Sequence, residues 1–170
     1  MLRLQHPMND QDLTKHHIFK HIKFIFCIVV VNIIIGLLFV IISYFYFKNT
    51  LSKNTIKWNS VTEEFLISVI AAPFLETLLL QVATYNIFRY AIKFTNFNET
   101  LQNYLFIFLS SMLFASMHTY NWLYVVNTFI GGLSLNYSYI YFKKEKFHPY
   151  IAVVSIHLLY NLFGFAIKRL

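Results

Sequence analysis

An all-α, polytopic transmembrane helix bundle of about five spans is the fold this sequence predicts, and three observations predict it. The 170 residues are 58% hydrophobic and only 12% charged, well outside the composition of a soluble domain. Several stretches reach the roughly 20 apolar residues needed to cross the hydrocarbon core of a bilayer. The formal charge of +7 collects mainly outside those stretches, in groups such as Lys15, Lys20, Lys23 and Lys143, Lys144, Lys146. Basic residues so placed anchor a chain at a membrane surface. The lipid bilayer is therefore the expected partner, and nucleic acid is not.

The elements follow in order. Residues 1–23 read as a polar basic arm, whose His6, His16, His17 and His21 show no ordered ligand spacing and are expected to be solvated. Phe24 to Phe47 is a first span without a charge; it is too long for a signal-peptide core and has no small-residue cleavage site, so it is expected to be retained. It holds Cys27, the one cysteine, which excludes an internal disulfide and a cysteine metal site. Lys48 to Ser60 is a polar loop. Ser60-Val61-Thr62-Glu63 then has the form of a capping box, with serine and glutamate satisfying each other's neighbouring backbone donors. Glu64 beside it reads as a surface charge compensating the helix dipole. The apolar run from Phe65 to Ile92 is a second span, which Pro73 is expected to kink by removing a backbone hydrogen bond. Leu101 to His118 is a third span, Thr119-Tyr120-Asn121 a tight turn, Trp122 to Phe142 a fourth span and Tyr150 to Ile167 a fifth. Gly131 and Gly132 in the fourth are expected to be close-packing positions.

An odd number of spans puts the termini on opposite faces. With the N-terminus inside, the inner face carries Arg3, Lys15, Lys20, Lys23, Arg89, Lys93, Lys143, Lys144 and Lys146, against Lys48, Lys53, Lys57, Lys168 and Arg169 outside. Nine against five favours a cytoplasmic N-terminus.

Ionisable groups at membrane depth need a reason, since an acid such as Asp at mid-span costs roughly 3 kcal/mol on insertion scales. Three occur within or at the ends of spans: Glu76 in the second, His118 closing the third and His157 in the fifth. Glu76 follows Pro73 by three residues, where a kink can free a backbone group and admit water. No Lys or Arg lies on a neighbouring turn, so Glu76 is expected to exchange protons or hold a cation, with a protonated structural hydrogen bond as the plainer reading. Phe114 and His118, four apart, share a helix face, as do His157 and Asn161. Taken singly, the histidines and Asn161 would serve interhelical hydrogen bonding as readily as catalysis.

In order and placement this set resembles the CPBP intramembrane proteases, the group containing CAAX prenyl endopeptidases of the Rce type and bacterial Abi or bacteriocin-processing relatives. That family's first motif, Glu-Glu-x-x-x-Arg, is matched by Glu76-Thr77-Leu78-Leu79-Leu80-Gln81, with Thr77 and Gln81 in place of the second acid and the arginine. Its Phe-x-x-x-His motif is matched by Phe114 to His118, and its His-x-x-x-Asn motif by His157 to Asn161. The resemblance runs from about Val61 to Phe165, within a domain of residues 61–167. It implies an intramembrane endopeptidase acting on a protein or peptide substrate, in a membrane of bacterial plasma-membrane type. It also implies that Glu76 and His118 activate water while His157 and Asn161 stabilise the oxyanion, with Thr77, Gln81 and Phe114 in support. Glu76, His118 and His157 also form a known type of catalytic zinc set. Without another intramembrane acid to fix the imidazoles, tightly bound zinc is not expected. Two other functions use the same residues: a catalytically inactive, immunity-type membrane-binding protein of this fold, and a small proton-coupled transport subunit.

Overall fold

The computed structural model describes residues 10–47 and 56–170, with side chains in the first segment from His17 to Tyr46. The expectations for His6 and for the loop over residues 48–55 lie outside the described residues, as does the His16 side chain. Five helical rods make up the described chain: α1 (Asp10–Phe47), α2 (Val61–Ala91), α3 (Glu99–Ser116), α4 (Trp122–Lys144) and α5 (Pro149–Ile167). Three are long and apolar enough to cross a membrane by length and composition, namely α1, α2 and α5. The other two carry polar residues turned inward, with Ser110 and Ser111 of α3 and Asn136 and Ser138 of α4 all buried.

The first correction concerns the N-terminal arm. Hydropathy falls off before Phe24, but the helix does not: α1 runs unbroken from Asp10 over 38 residues. Nor is the histidine region solvated throughout. His21 is fully buried, stacked on Phe147 at 4.2 Å between ring centroids and packed against Phe142. Further along, Phe24 stacks on Tyr141 and Asn32 accepts a 2.8 Å hydrogen bond from Ser134 Oγ, fixing α1 to α4. The outer face of α1 presents Phe26, Ile34, Leu38 and Ile41, exposed apolar side chains that lipid would cover.

Helix ends follow local chemistry. Ser60 Oγ accepts from Glu63 N–H as expected, but the Glu63 carboxylate reaches back to Asn59, taking its N–H at 2.7 Å. Glu64 is more than a dipole charge. It accepts from Lys168 and Arg169 at 2.9 and 2.8 Å, tying the start of α2 to the end of α5. At the opposite end of the bundle, Glu99 pairs with Lys144 at 3.5 Å and Lys20 with Glu145 at 2.8 Å.

The core is built by Phe106 from α3, Leu135, Tyr139 and Phe142 from α4, and Val153 and Ile156 from α5. Close approach of α3 and α4 needs Gly132, where a Cβ would meet Ser111 Cα at 3.2 Å. Gly131 does not share that role, because a Cβ there would meet nothing within 4 Å.

Candidate active site

The irregular backbone of α2 comes first, because it positions the acid. Pro73 has no N–H to donate and its ring collides with the carbonyl four residues back in a regular helix. The rod accommodates this by widening: π-helical segments Phe65–Ala71 and Thr77–Ala83 flank a short α-helical piece, Ala72–Glu76. Carbonyls disturbed in this way need other donors at membrane depth. They find them on neighbouring helices. Asn161 Nδ2 donates to Ser68 O at 2.8 Å, Tyr150 donates to Phe74 O at 3.2 Å, and Ser110 donates to Leu80 O.

Glu76 stands at the end of that central piece, its side chain one-quarter exposed. Its Oε2 lies 3.9 Å from His118 Nε2 and 3.7 Å from His157 Nε2. Two rods, α2 and α5, and the turn after α3 therefore bring one carboxylate and two imidazoles to a single point. The contacts are longer than hydrogen bonds. A water about 2.8 Å from each atom of either pair would fit beside the line joining them.

His118 is not on α3 as expected. The helix ends at Ser116, and His118 sits in the turn that follows, its N–H still bonded to Ala115 O. Its ring stacks on Phe114 at 4.7 Å, and its Nδ1 lies 2.8 Å from Phe114 O. A carbonyl can only accept, so Nδ1 carries the proton and Nε2 turns a lone pair toward Glu76. Leaving the helix gives the ring this freedom, while Asn121 starts α4 by accepting from Tyr124 N–H. In the turn between them, the Tyr120 phenol is pushed above its ordinary pKa, first by burial and then by the nearby Glu76 carboxylate.

His157, on α5, is buried with its edge toward Phe114. Its Nδ1 meets no hydrogen-bond partner among the described residues. A neutral imidazole has one proton, and the stable choice places it on Nε2, facing the carboxylate. The two histidines thus present opposite characters to Glu76: His118 an acceptor, His157 a donor.

Asn161 does not join this point directly. Its amide is engaged by Ser68 O, and no hydrogen bond links it to Glu76 or either histidine among the described residues. Thr77 and Gln81 are both fully buried, and the Thr77 hydroxyl and both polar atoms of Gln81 are without partners among the described residues. Sequence reasoning missed Asn32 and Ser134, whose interhelical bond has no signal beyond a polar residue in an apolar run. It also missed the pairing of His17 with His21, whose four-residue spacing was legible.

A family model described as type II CAAX prenyl endopeptidase Rce1-like matches residues 58–163. No curated protein and no solved structure matches the chain.

Proposed function

Because the chain belongs to the Rce1-like family of type II CAAX prenyl endopeptidases, we propose that it hydrolyses a peptide bond at membrane depth with water activated by Glu76 and His118. The observation that carries this reading is the Glu76 carboxylate lying within 4 Å of two imidazoles from different elements. Amide hydrolysis needs a proton acceptor, a positioned water and donors aimed at the developing oxyanion. His118 Nε2 and the Glu76 carboxylate are the acceptors. A water between them gives up a proton as its oxygen attacks the scissile carbonyl. His157 Nε2–H is the donor to the oxyanion. Asn161 carries two amide hydrogens, of which Ser68 O takes one, so the second remains for the same oxyanion. The proton held by His118 or Glu76 then passes to the leaving amine.

The buried polar atoms of Thr77 and Gln81 support a wet interior beside this point, since buried donors and acceptors without protein partners are ordinarily met by water. Zinc is the alternative water activator. Of the two imidazoles, His118 has the carbonyl partner that holds a metal-binding ring, and His157 has none. The residues therefore fit a metal-free, glutamate-type hydrolase better. The test is cleavage of a prenylated CAAX peptide by protein purified in mild detergent, followed by mass spectrometry with and without exhaustive chelation. One defined cut that survives chelation is expected. Cleavage that stops on chelation and returns with zinc would overturn the metal-free mechanism, and no cleavage of prenylated or unprenylated peptides would overturn the hydrolase reading.

A further inference from the structure

At the end of the bundle remote from Glu76, a second group of ligand-type side chains comes together. His17 and His21 are four residues apart on α1 and so share one face. Their Nε2 atoms are 3.3 Å apart. One ligand atom from each of His17, His21 and Glu145 lies within 4.8 Å of the other two. Glu145 follows α4, whose 23 residues separate it from His118 by about 35 Å of helix.

The turn holding Glu145 is built rather than loose. Lys146 N–H bonds to Lys143 O and Phe147 N–H to Phe142 O, with Lys146 at φ 55°. That is the Schellman pattern, in which the position after the cap is left-handed and glycine is the usual occupant. Phe147, thrown back by the turn, contacts Phe142 and stacks on His21. One motif thereby seats the His21 ring and brings the neighbouring carboxylate to it.

We propose that His17, His21 and Glu145 form a binding site for a divalent transition metal, zinc foremost, that staples the start of α1 to the α4–α5 turn. Two imidazoles and a carboxylate favour zinc over magnesium or calcium, which take oxygen ligands. The 3.3 Å between the two Nε2 atoms is the ligand separation a tetrahedral zinc requires, about 3.3 Å from its bond lengths. Water completes the coordination on the exposed His17 side. Two features set the affinity below that of a closed structural site. Lys20 competes for Glu145, which it holds below the ordinary carboxylate pKa through their hydrogen bond. His21 Nδ1 has no acceptor among the described residues, and lost outer support of this kind costs about 10- to 100-fold in affinity. The site is accordingly labile, filled and emptied as free zinc changes.

The inference is independent of the hydrolase reading, because none of its residues belongs to the Glu76 site. Its test uses the full chain purified in mild detergent, stripped with chelator and titrated with zinc alone, with magnesium as control. Bound metal is counted after dialysis and thermal unfolding is followed in parallel. One equivalent of zinc and a raised Tm are expected for the wild type and for His118→Ala. For His17→Gln, which changes an exposed side chain and should fold, and for Glu145→Gln, zinc affinity should fall at least ~10-fold. No zinc uptake by the wild type, or uptake unchanged in His17→Gln but lost in His118→Ala, would overturn the proposal.

Discussion

Replacing Glu76 with glutamine asks most directly whether this carboxylate is a base. The side chains are nearly equal in size, and Glu76 makes no hydrogen bond to the rest of the described structure; its charged-group neighbours are the imidazoles at 3.7 and 3.9 Å. Glutamine can still donate to His118 Nε2, so little folding energy is at stake. Trading one weak polar contact for another should cost at most about 1 kcal/mol, which for a chain of this size shifts Tm by about 2–4 °C. Proton acceptance is lost altogether, and general-base assistance is commonly worth about a hundred- to ten-thousand-fold in rate. The expected outcome for Glu76→Gln is therefore a collapse of kcat on a prenylated peptide with a melting temperature within a few degrees of wild type. Glu63→Gln is the matched control. It alters a carboxylate that receives Asn59 N–H at a helix start, and should leave kcat within about twofold of wild type. A Glu76→Gln protein that cleaves at the wild-type rate would refute the assignment, and one that loses activity and melts far lower would show Glu76 holding the fold.

Three further outcomes follow from particular contacts. His157→Ala removes the donor character opposite Glu76 and should lower kcat by about 10²–10³ with little change in KM, the signature of a group acting in the transition state. Gly132→Ala places a Cβ 3.2 Å from Ser111 Cα and should cost about 1–3 kcal/mol in thermal unfolding; Gly131→Ala, facing open space, should be neutral or stabilising by up to about 1 kcal/mol. Reporter fusions after Leu170 should behave as external if the nine-to-five charge count sets the orientation, whereas an internal reporter would invert the bundle and with it the face from which His118 and the 119–121 turn are reached.

Much of the fold was legible because membrane helices are specified by composition over long windows, which α1, α2 and α5 satisfy plainly. The convergence at Glu76 was legible in outline, because ionisable residues in apolar spans are few and need a common reason. What was hidden depends on tertiary partners. The helical arm before Phe24 could not be read from hydropathy, since its packing rests on His21 meeting Phe147, a residue remote in sequence. The place of His118 beyond the end of α3 was masked by its helical spacing from Phe114. Pro73 announced a kink, but the two π-helical segments require donors such as Asn161 and Ser110, and their partners cannot be inferred from spacing. The same contact explains why Asn161 shares a helix with His157 yet is drawn aside toward Ser68.

The substitution of the first motif's second acid and arginine acquires a physical sense from the same geometry. An acid and an arginine side by side would balance each other, leaving the net charge of the site to Glu76. Thr77 and Gln81, both neutral and fully buried, balance in another way, by contributing no charge at all. Removing only the arginine would have left two acids in a low-dielectric interior, and removing only the acid would have left a buried cation competing with His118 for Glu76. Replacing both leaves Glu76 facing one imidazole that accepts and one that donates. The His118 Nε2 lone pair then faces the Glu76 carboxylate from one side and His157 Nε2–H from the other. Such a site needs no permanent cation to hold Glu76 in place. Its cost falls on hydrogen bonding, in the orphaned atoms of Thr77 and Gln81, and water is the ordinary partner for such atoms. Water in that position lies beside the acid that the proposed hydrolysis would use to activate it.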